Sequence, residues 1–166
     1  MRVLSCLFLF LVFSTVCYGQ KHRTKTAAEN FIATSLDGKT FDITKLKGKV
    51  VLVTFWSTRC PVCASEAPKL NELAAAYQNK DVVFLGPTTD DAKKISSFIK
   101  KKPFNFNLLP NSFGILLKYA DRDSNGNVMM GYPAYYLINK KGEIELKTNG
   151  YNKKQKLASE INRLLE

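Results

Sequence analysis

Residues 29–166 read as one α/β domain: a central mixed β-sheet flanked by helices, with a β-hairpin added on its N-terminal side. Three features predict this. Val50-Val51-Leu52-Val53-Thr54-Phe55-Trp56 is an almost continuous β-branched and apolar run, as a central strand buried on both faces requires. Strand-like and helix-like segments alternate after it, which implies a partly parallel sheet covered by helices. A late hairpin, turning at Asn139-Lys140-Lys141-Gly142, makes the sheet mixed.

In chain order, residues 20–28 are polar and are expected to form a flexible N-terminus. Phe31-Ile32-Ala33 and Phe41-Asp42-Ile43 predict two short strands around a turn at Leu36-Asp37-Gly38-Lys39-Thr40, and Lys47-Gly48-Lys49 ends that unit. After the buried run, Val62, Ala67, Leu70, Leu73, Ala74 and Tyr77 form a helical stripe over residues 61–78. Pro68 inside it should bend the helix, because it lacks an N–H and crowds the carbonyl of Ala64. Val82-Val83-Phe84-Leu85 predicts a second buried strand. Ile95, Phe98 and Ile99 share a helical face in residues 90–101, with Asp90 or Asp91 as the N-cap. Residues 112–119 predict a shorter helix, and residues 134–138 and 143–147 the late hairpin. Leu157, Ile161, Leu164 and Leu165 stripe a closing helix over residues 155–165.

The 166 residues are 45% apolar and 23% charged, a globular composition of one domain's length. The only histidine, His22, rules out an HExxH zinc site or a multi-histidine metal cage, and leaves little room for a histidine-dependent triad. The net charge of +11 comes from dispersed basic residues with no aromatic-interleaved motif, so no nucleic-acid partner is expected. The basic start Met1-Arg2, the apolar residues 7–13 and the small residues Cys17 and Gly19 read as a secretory signal peptide, residues 1–19, cut after Gly19. An uncleaved anchor fits less well, because Ser5, Ser14 and Thr15 interrupt a run already short of the roughly 20 residues that span a bilayer. A lipid on Cys17 would have bulky Val16 where a small residue is usual. The expected location is periplasmic or otherwise extracytoplasmic, and Cys60 and Cys63 remain as the mature pair in an oxidising or redox-managed compartment.

Cys60-Pro61-Val62-Cys63 follows the buried strand and opens the helix. Proline is favoured at the first helical position, which makes Cys60 the N-cap. Free backbone N–H groups and the positive end of the helix dipole then stabilise a thiolate there, lowering a thiol pKa from about 8.5 into a range of roughly 3.5 to 7.5. Cys63 lies three residues on, over the same face, where the two sulfurs can bridge or open. As a purely structural bridge the pair would add only about 2 kcal/mol, against about 3 for a fifteen-residue loop. Zinc would need two more ligands, and a c-type haem would need histidine where Ala64 stands. Turnover explains the pair better. Glu66 shares the face of Cys63 and is a candidate for handling its proton, although an acid in the first turns of a helix also stabilises the helix itself. Tyr132-Pro133, just before a strand, is a candidate cis peptide.

Phe55-Trp56-Ser57-Thr58-Arg59-Cys60-Pro61-Val62-Cys63, Glu66, Pro68, and Tyr132-Pro133 before Leu137-Ile138-Asn139-Lys140-Lys141-Gly142 together resemble the thioredoxin fold. More narrowly they resemble the extracytoplasmic TlpA/ResA-like thiol–disulfide oxidoreductases, a group related to the AhpC/TSA and redoxin proteins. The upstream hairpin and the segment around residues 90–101 match additions of that family. The resemblance implies that Cys60 attacks, Cys63 resolves, Glu66 is the acid typical of reducing members and Pro133 is a cis-proline facing the disulfide. Trp56, Arg59, Pro61 and Tyr132 would then belong to the substrate surface around it. It further implies protein thiol or disulfide substrates (cytochrome c apoprotein thiols among them), a membrane or periplasmic thiol as electron donor, no cofactor, no metal and a monomer. The chain departs from the pattern at Arg59, where tryptophan is usual, at Thr54, where thioredoxin has a buried aspartate, and at Ala134, where threonine is usual. A cation beside Cys60 favours a more oxidising couple, and an ionised Glu66 pushes the other way. Two other classes fit the fold: a thiol peroxidase, which lacks here its usual Pro, Thr and Arg around a lone cysteine, and a binding or chaperone module without redox turnover.

Overall fold

The computed structural model describes residues 25–166, so the expected signal peptide, Cys6, Cys17 and His22 lie outside the described residues. Strand β1 (Thr26–Ala27) precedes a hairpin of β2 (Ile32–Thr34) and β3 (Thr40–Asp42), then a 3-10 turn at Ile43–Leu46. The remaining order is β4 (Val50–Phe55), α1 (Pro61–Ala76), β5 (Val82–Pro87), α2 (Ala92–Ile99), β6 (Asn107–Leu109), α3 (Phe113–Tyr119), β7 (Asp121–Arg122), β8 (Val128–Met129), β9 (Ala134–Ile138), β10 (Glu143–Asn149) and α4 (Lys154–Leu165).

Six strands form the main sheet in the order β1-β10-β9-β4-β5-β6. β4, β5 and β6 run parallel, while β9 pairs antiparallel with both β4 and β10. The sheet is mixed, as expected. Because successive side chains point to opposite faces, the buried run of β4 divides between two apolar layers. Val50 and Leu52, with Tyr135 and Leu137 of β9, pack under Ala67, Leu70 and Leu73 of α1, Ile95 of α2, and Leu157 and Ile161 of α4. Val51, Val53 and Phe55, with Tyr136 and Ile138, pack against Phe31, Ile43 and the Ile115, Leu116 and Tyr119 of α3. β4 thus lies at the centre of both layers.

Three short pairings go beyond the expectations. Within the stretch read as flexible, Thr26 and Ala27 pair with Ile144 and Glu143, so its last residues add an edge strand. β6 pairs in parallel with β5, and the Leu36 N–H donates across that edge to the Leu108 carbonyl. β7 and β8 form a small separate hairpin. Each has only two or three residues, too few to carry a periodic signal. Among the described residues no helix is long and apolar enough to cross a membrane.

Leu137 is fully buried in β9, opposite Leu52 of β4. Leu137→Ala is expected to lower the unfolding free energy by about 2–5 kcal/mol in urea titrations, since rigid strands on both sides prevent the cavity from collapsing.

Candidate active site

The chain leaves the C-terminal end of β4 in a turn, and that turn becomes α1. The Cys60 N–H donates to the Ser57 carbonyl at 3.1 Å and the Ala64 N–H to the Cys60 carbonyl at 3.1 Å, so Cys60 ends the turn and begins the helix. Its backbone is extended, and its sulfur accepts the Cys63 N–H at 3.0 Å, with Pro61 at the first helical position. The sequence reading of Cys60 as the cap is what the structure holds. Cys60 and Cys63 are joined as a disulfide across a Cα–Cα distance of 5.2 Å. Cys60 is half-buried, whereas Cys63 is 1% exposed beneath it, so an incoming molecule reaches only the first sulfur.

Asp90 braces this turn from the β5–α2 connection. The buried carboxylate accepts the Thr58 N–H at 2.8 Å and the Ser57 hydroxyl at 3.1 Å, while the Asn111 N–H donates to the Asp90 carbonyl at 3.0 Å. Burial pushes this carboxyl up, but hydrogen bonds from Thr58, Ser57 and Thr88 outweigh it and hold the pKa below the usual carboxylate value. Sequence offered two adjacent acids for one capping role. Asp91 takes it, accepting the Lys94 N–H at 2.8 Å, and Asp90 is freed for the turn.

Glu66 is 2% exposed on the buried side of α1. Lys69 donates to its Oε1 at 2.7 Å, the Asn152 N–H donates to its Oε2 at 2.9 Å, and Lys69 also donates to the Asn152 Oδ1 at 2.7 Å. The three groups close a ring between α1 and the loop from β10 to α4. Tyr135, opposite Thr54 in β9, faces the same layer, and its buried hydroxyl has no hydrogen-bond partner among the described residues. Burial, and then the charge of Glu66, raise its pKa. Lys69, Asn152, Tyr135 and the brace by Asp90 all escaped the sequence reading. The i, i+3 spacing of Glu66 and Lys69 was the one signal available.

The other expected surface residues divide. Arg59 and Pro61 are exposed, Tyr132 is half-buried, and Pro133 is buried after a cis Tyr132–Pro133 bond. Burial and the charge of Asp90 raise the Tyr132 phenol. Trp56 is a correction: at 1% exposure it is core, not substrate surface. Its indole N–H donates to the Gly86 carbonyl at 3.0 Å, and its ring packs on Phe98 and Phe104. Gly86 permits this approach, because a Cβ there would lie 2.9 Å from the Phe106 ring and 3.3 Å from the indole nitrogen. Exposed apolar side chains include Val62 on α1, Phe113 at the start of α3 and Tyr151 in the loop before α4. The cavity of about 640 Å³ at the β1–β10 edge, lined by Lys25, Glu145 and Arg163 among others, includes neither cysteine.

Residues 24–147 match the AhpC/TSA family. A thiol-disulfide oxidoreductase ResA from Bacillus cereus is 30% identical over 146 residues, covering 87% of this chain and 80% of its own. The soluble secreted antigen MPT53 of Mycobacterium bovis is 40% identical over 87 residues, 52% of this chain and 49% of that one. Among solved structures, a putative protein disulfide isomerase from Bacteroides thetaiotaomicron superposes with a TM-score of 0.74 at 27% identity, covering 86% of this chain and 90% of that one.

Removing the brace should loosen the turn. Asp90→Ala is expected to cost about 2–3 kcal/mol in chemical unfolding, the scale of losing hydrogen bonds to a charged group, and Asp90→Asn, which keeps an acceptor, less than half of that. The advantage of the parent protein over Asp90→Asn should be complete above pH 3.8, the ordinary carboxyl value, and shrink as pH falls toward the lowered folded value.

Proposed function

The chain belongs to the AhpC/TSA family and, within the thioredoxin fold, to its TlpA/ResA-like thiol–disulfide oxidoreductases, and from that premise we propose that it reduces disulfides of extracytoplasmic proteins through Cys60 and Cys63. Thiol–disulfide oxidoreduction is its activity. One observation carries the assignment of roles: the two sulfurs are bonded to each other at the start of α1, one reachable and one buried.

In the reduced protein, the Cys60 thiolate attacks one sulfur of a substrate disulfide. A bond forms between Cys60 and that sulfur, and the other substrate sulfur leaves as a thiolate that takes a proton from water. Cys63 then loses its proton and attacks the Cys60 sulfur, which releases the second substrate thiol and restores the disulfide in the structure. Two electrons have passed to the substrate. A dithiol donor returns them by the reverse exchange, and a membrane or periplasmic thiol carrier fits that part. The cap at Cys60 favours its thiolate as attacker and as leaving group. Glu66, three residues from Cys63 on the helix, receives or directs the proton of the resolving thiol. Arg59, Pro61 and Tyr132 form the surface that meets the substrate chain, next to the buried Pro133.

An extracytoplasmic location is supported by the leader-like residues 1–19 and by the secreted relative. In that compartment, reduced apocytochrome thiols or other exposed cysteines fit as products. A protein substrate also agrees with a disulfide placed at the rim of the sheet.

Cys60→Ser is expected to abolish reduction of an insulin disulfide. Cys63→Ser should instead accumulate a mixed disulfide, visible as a mass increase reversed by dithiothreitol. Retained turnover in Cys60→Ser would remove the mechanism. The potential of the couple should lie nearer thioredoxin's about −270 mV than the about −120 mV of a strong oxidase, and the latter value would reverse the direction of transfer.

A further inference from the structure

The ring around Glu66 has a chemical consequence. Glu66 is buried one turn along α1 from Cys63; a carboxylate there opposes thiolate formation, and the size of that opposition depends on whether the charge is compensated. Glu66 is buried, so water screens it little. Lys69 places a cation 2.7 Å from Oε1, and Asn152 fixes Oε2 through its backbone N–H. Lys69 is held in turn by the Asn152 side chain, although 40% of its own side chain remains exposed to solvent. The groups that act on Glu66 are therefore Lys69 from α1, Asn152 from the loop before α4, and the Tyr135 phenol from β9, with Cys63 one turn back on α1. Across the preceding turn, Arg59 and Asp90 act on Cys60 with opposite signs.

We propose that Lys69 is a positioning residue that sets the redox poise of the Cys60–Cys63 couple by compensating and immobilising the Glu66 carboxylate. It touches neither sulfur in this arrangement and acts through Glu66, so the inference rests on the role given to Glu66 above. With Lys69 in place, both carboxylate oxygens are engaged and the thiolates meet a neutralised pair. Without it they meet a buried anion held only by the Asn152 N–H, thiolate formation becomes harder, and the dithiol form loses stabilisation. The couple becomes more reducing. Asn152 supplies the geometry: in the left-handed conformation, with φ of 57°, it presents N–H and side-chain oxygen to the two members of the pair at once.

The experiment measures two quantities in the full chain: the pKa of Cys60, from the pH dependence of iodoacetamide alkylation, and the reduction potential, by equilibration with glutathione. Lys69→Met keeps the length of the half-exposed side chain and removes the charge. It is expected to raise the Cys60 pKa by about half a unit to one unit, slowing alkylation below that pKa by about three- to tenfold. Above the thiol pKa the potential should fall by about 15–30 mV, at about 30 mV per tenfold for a two-electron couple. Lys69→Arg should restore both values toward the parent. In a Glu66→Gln background, Lys69→Met should move neither.

The outcomes separate. If Glu66→Gln shifts the pKa and Lys69→Met does not, the proposal for Lys69 is overturned while Glu66 keeps its role. If Glu66→Gln shifts nothing, the role of Glu66 fails, and the proposal with it. An effect of Lys69→Met that persists in the Glu66→Gln background means that the cation acts on the sulfurs directly, which also overturns it. A lowered melting temperature with unchanged pKa and potential makes the ring structural and overturns it as well.

Discussion

A strand buried on both faces runs directly into a helix whose first free N–H groups point back at the residue between them. Most of the chemistry of this protein depends on that junction. β4 has no surface of its own: its side chains supply the middle of both apolar layers, and its backbone pairs with β5 on one side and β9 on the other. An element held in that way has little freedom to shift. Its end point is fixed in space, and so are the turn at Ser57–Arg59 and the sulfur of Cys60. The dipole and the Cys63 N–H can then act on a sulfur that stays where they are aimed.

Two polar devices secure the junction from opposite sides. Asp90 reaches in from the β5–α2 connection and holds the turn before the nucleophile. Glu66, Lys69 and Asn152 tie the first turns of α1 to the loop before α4. Each device contains a buried carboxylate, and each carboxylate is hydrogen-bonded, as burial of a charge demands. They differ in compensation. Asp90 is balanced by neutral N–H and hydroxyl donors, whereas Glu66 has a cation as well. The electrostatics of the junction therefore combine a helix dipole, one exposed arginine and two unlike carboxylates.

Trp56 illustrates how a local motif can mislead. Next to the turn that carries Cys60, an aromatic residue reads naturally as part of the surface that a substrate meets. Directly after β4 it continues the layer of Val50 and Leu52, against Phe98 and Phe104, where its indole finds the Gly86 carbonyl. Whether a side chain next to a reactive cysteine faces solvent depends on what packs against it. Phe98 and Phe104 lie more than forty residues further along the chain, and nothing in the spacing of the motif announces them.

Local order determined a great deal here. The strand at Val50–Phe55, the helix opening at Pro61, the cap at Cys60, the late hairpin and the closing helix are written in short-range patterns of apolar periodicity and turn chemistry, and the cis bond before Pro133 was a candidate from its place ahead of a strand. Interactions between distant residues left no such trace. The partnership of Asn152 with Glu66 spans 86 positions and that of Asp90 with Thr58 spans 32, and either asparagine or aspartate alone reads as an ordinary loop or cap residue. The short edge strands β1 and β6 likewise exist because a finished sheet offers unpaired N–H and C=O groups, not because two or three residues prefer to be extended. Sequence by itself determined where the reactive sulfur stands and which element it caps, since both follow from neighbours along the chain. Only the tertiary structure decided how the charges near that sulfur are held, because Asp90 and Asn152 arrive from loops far along the chain.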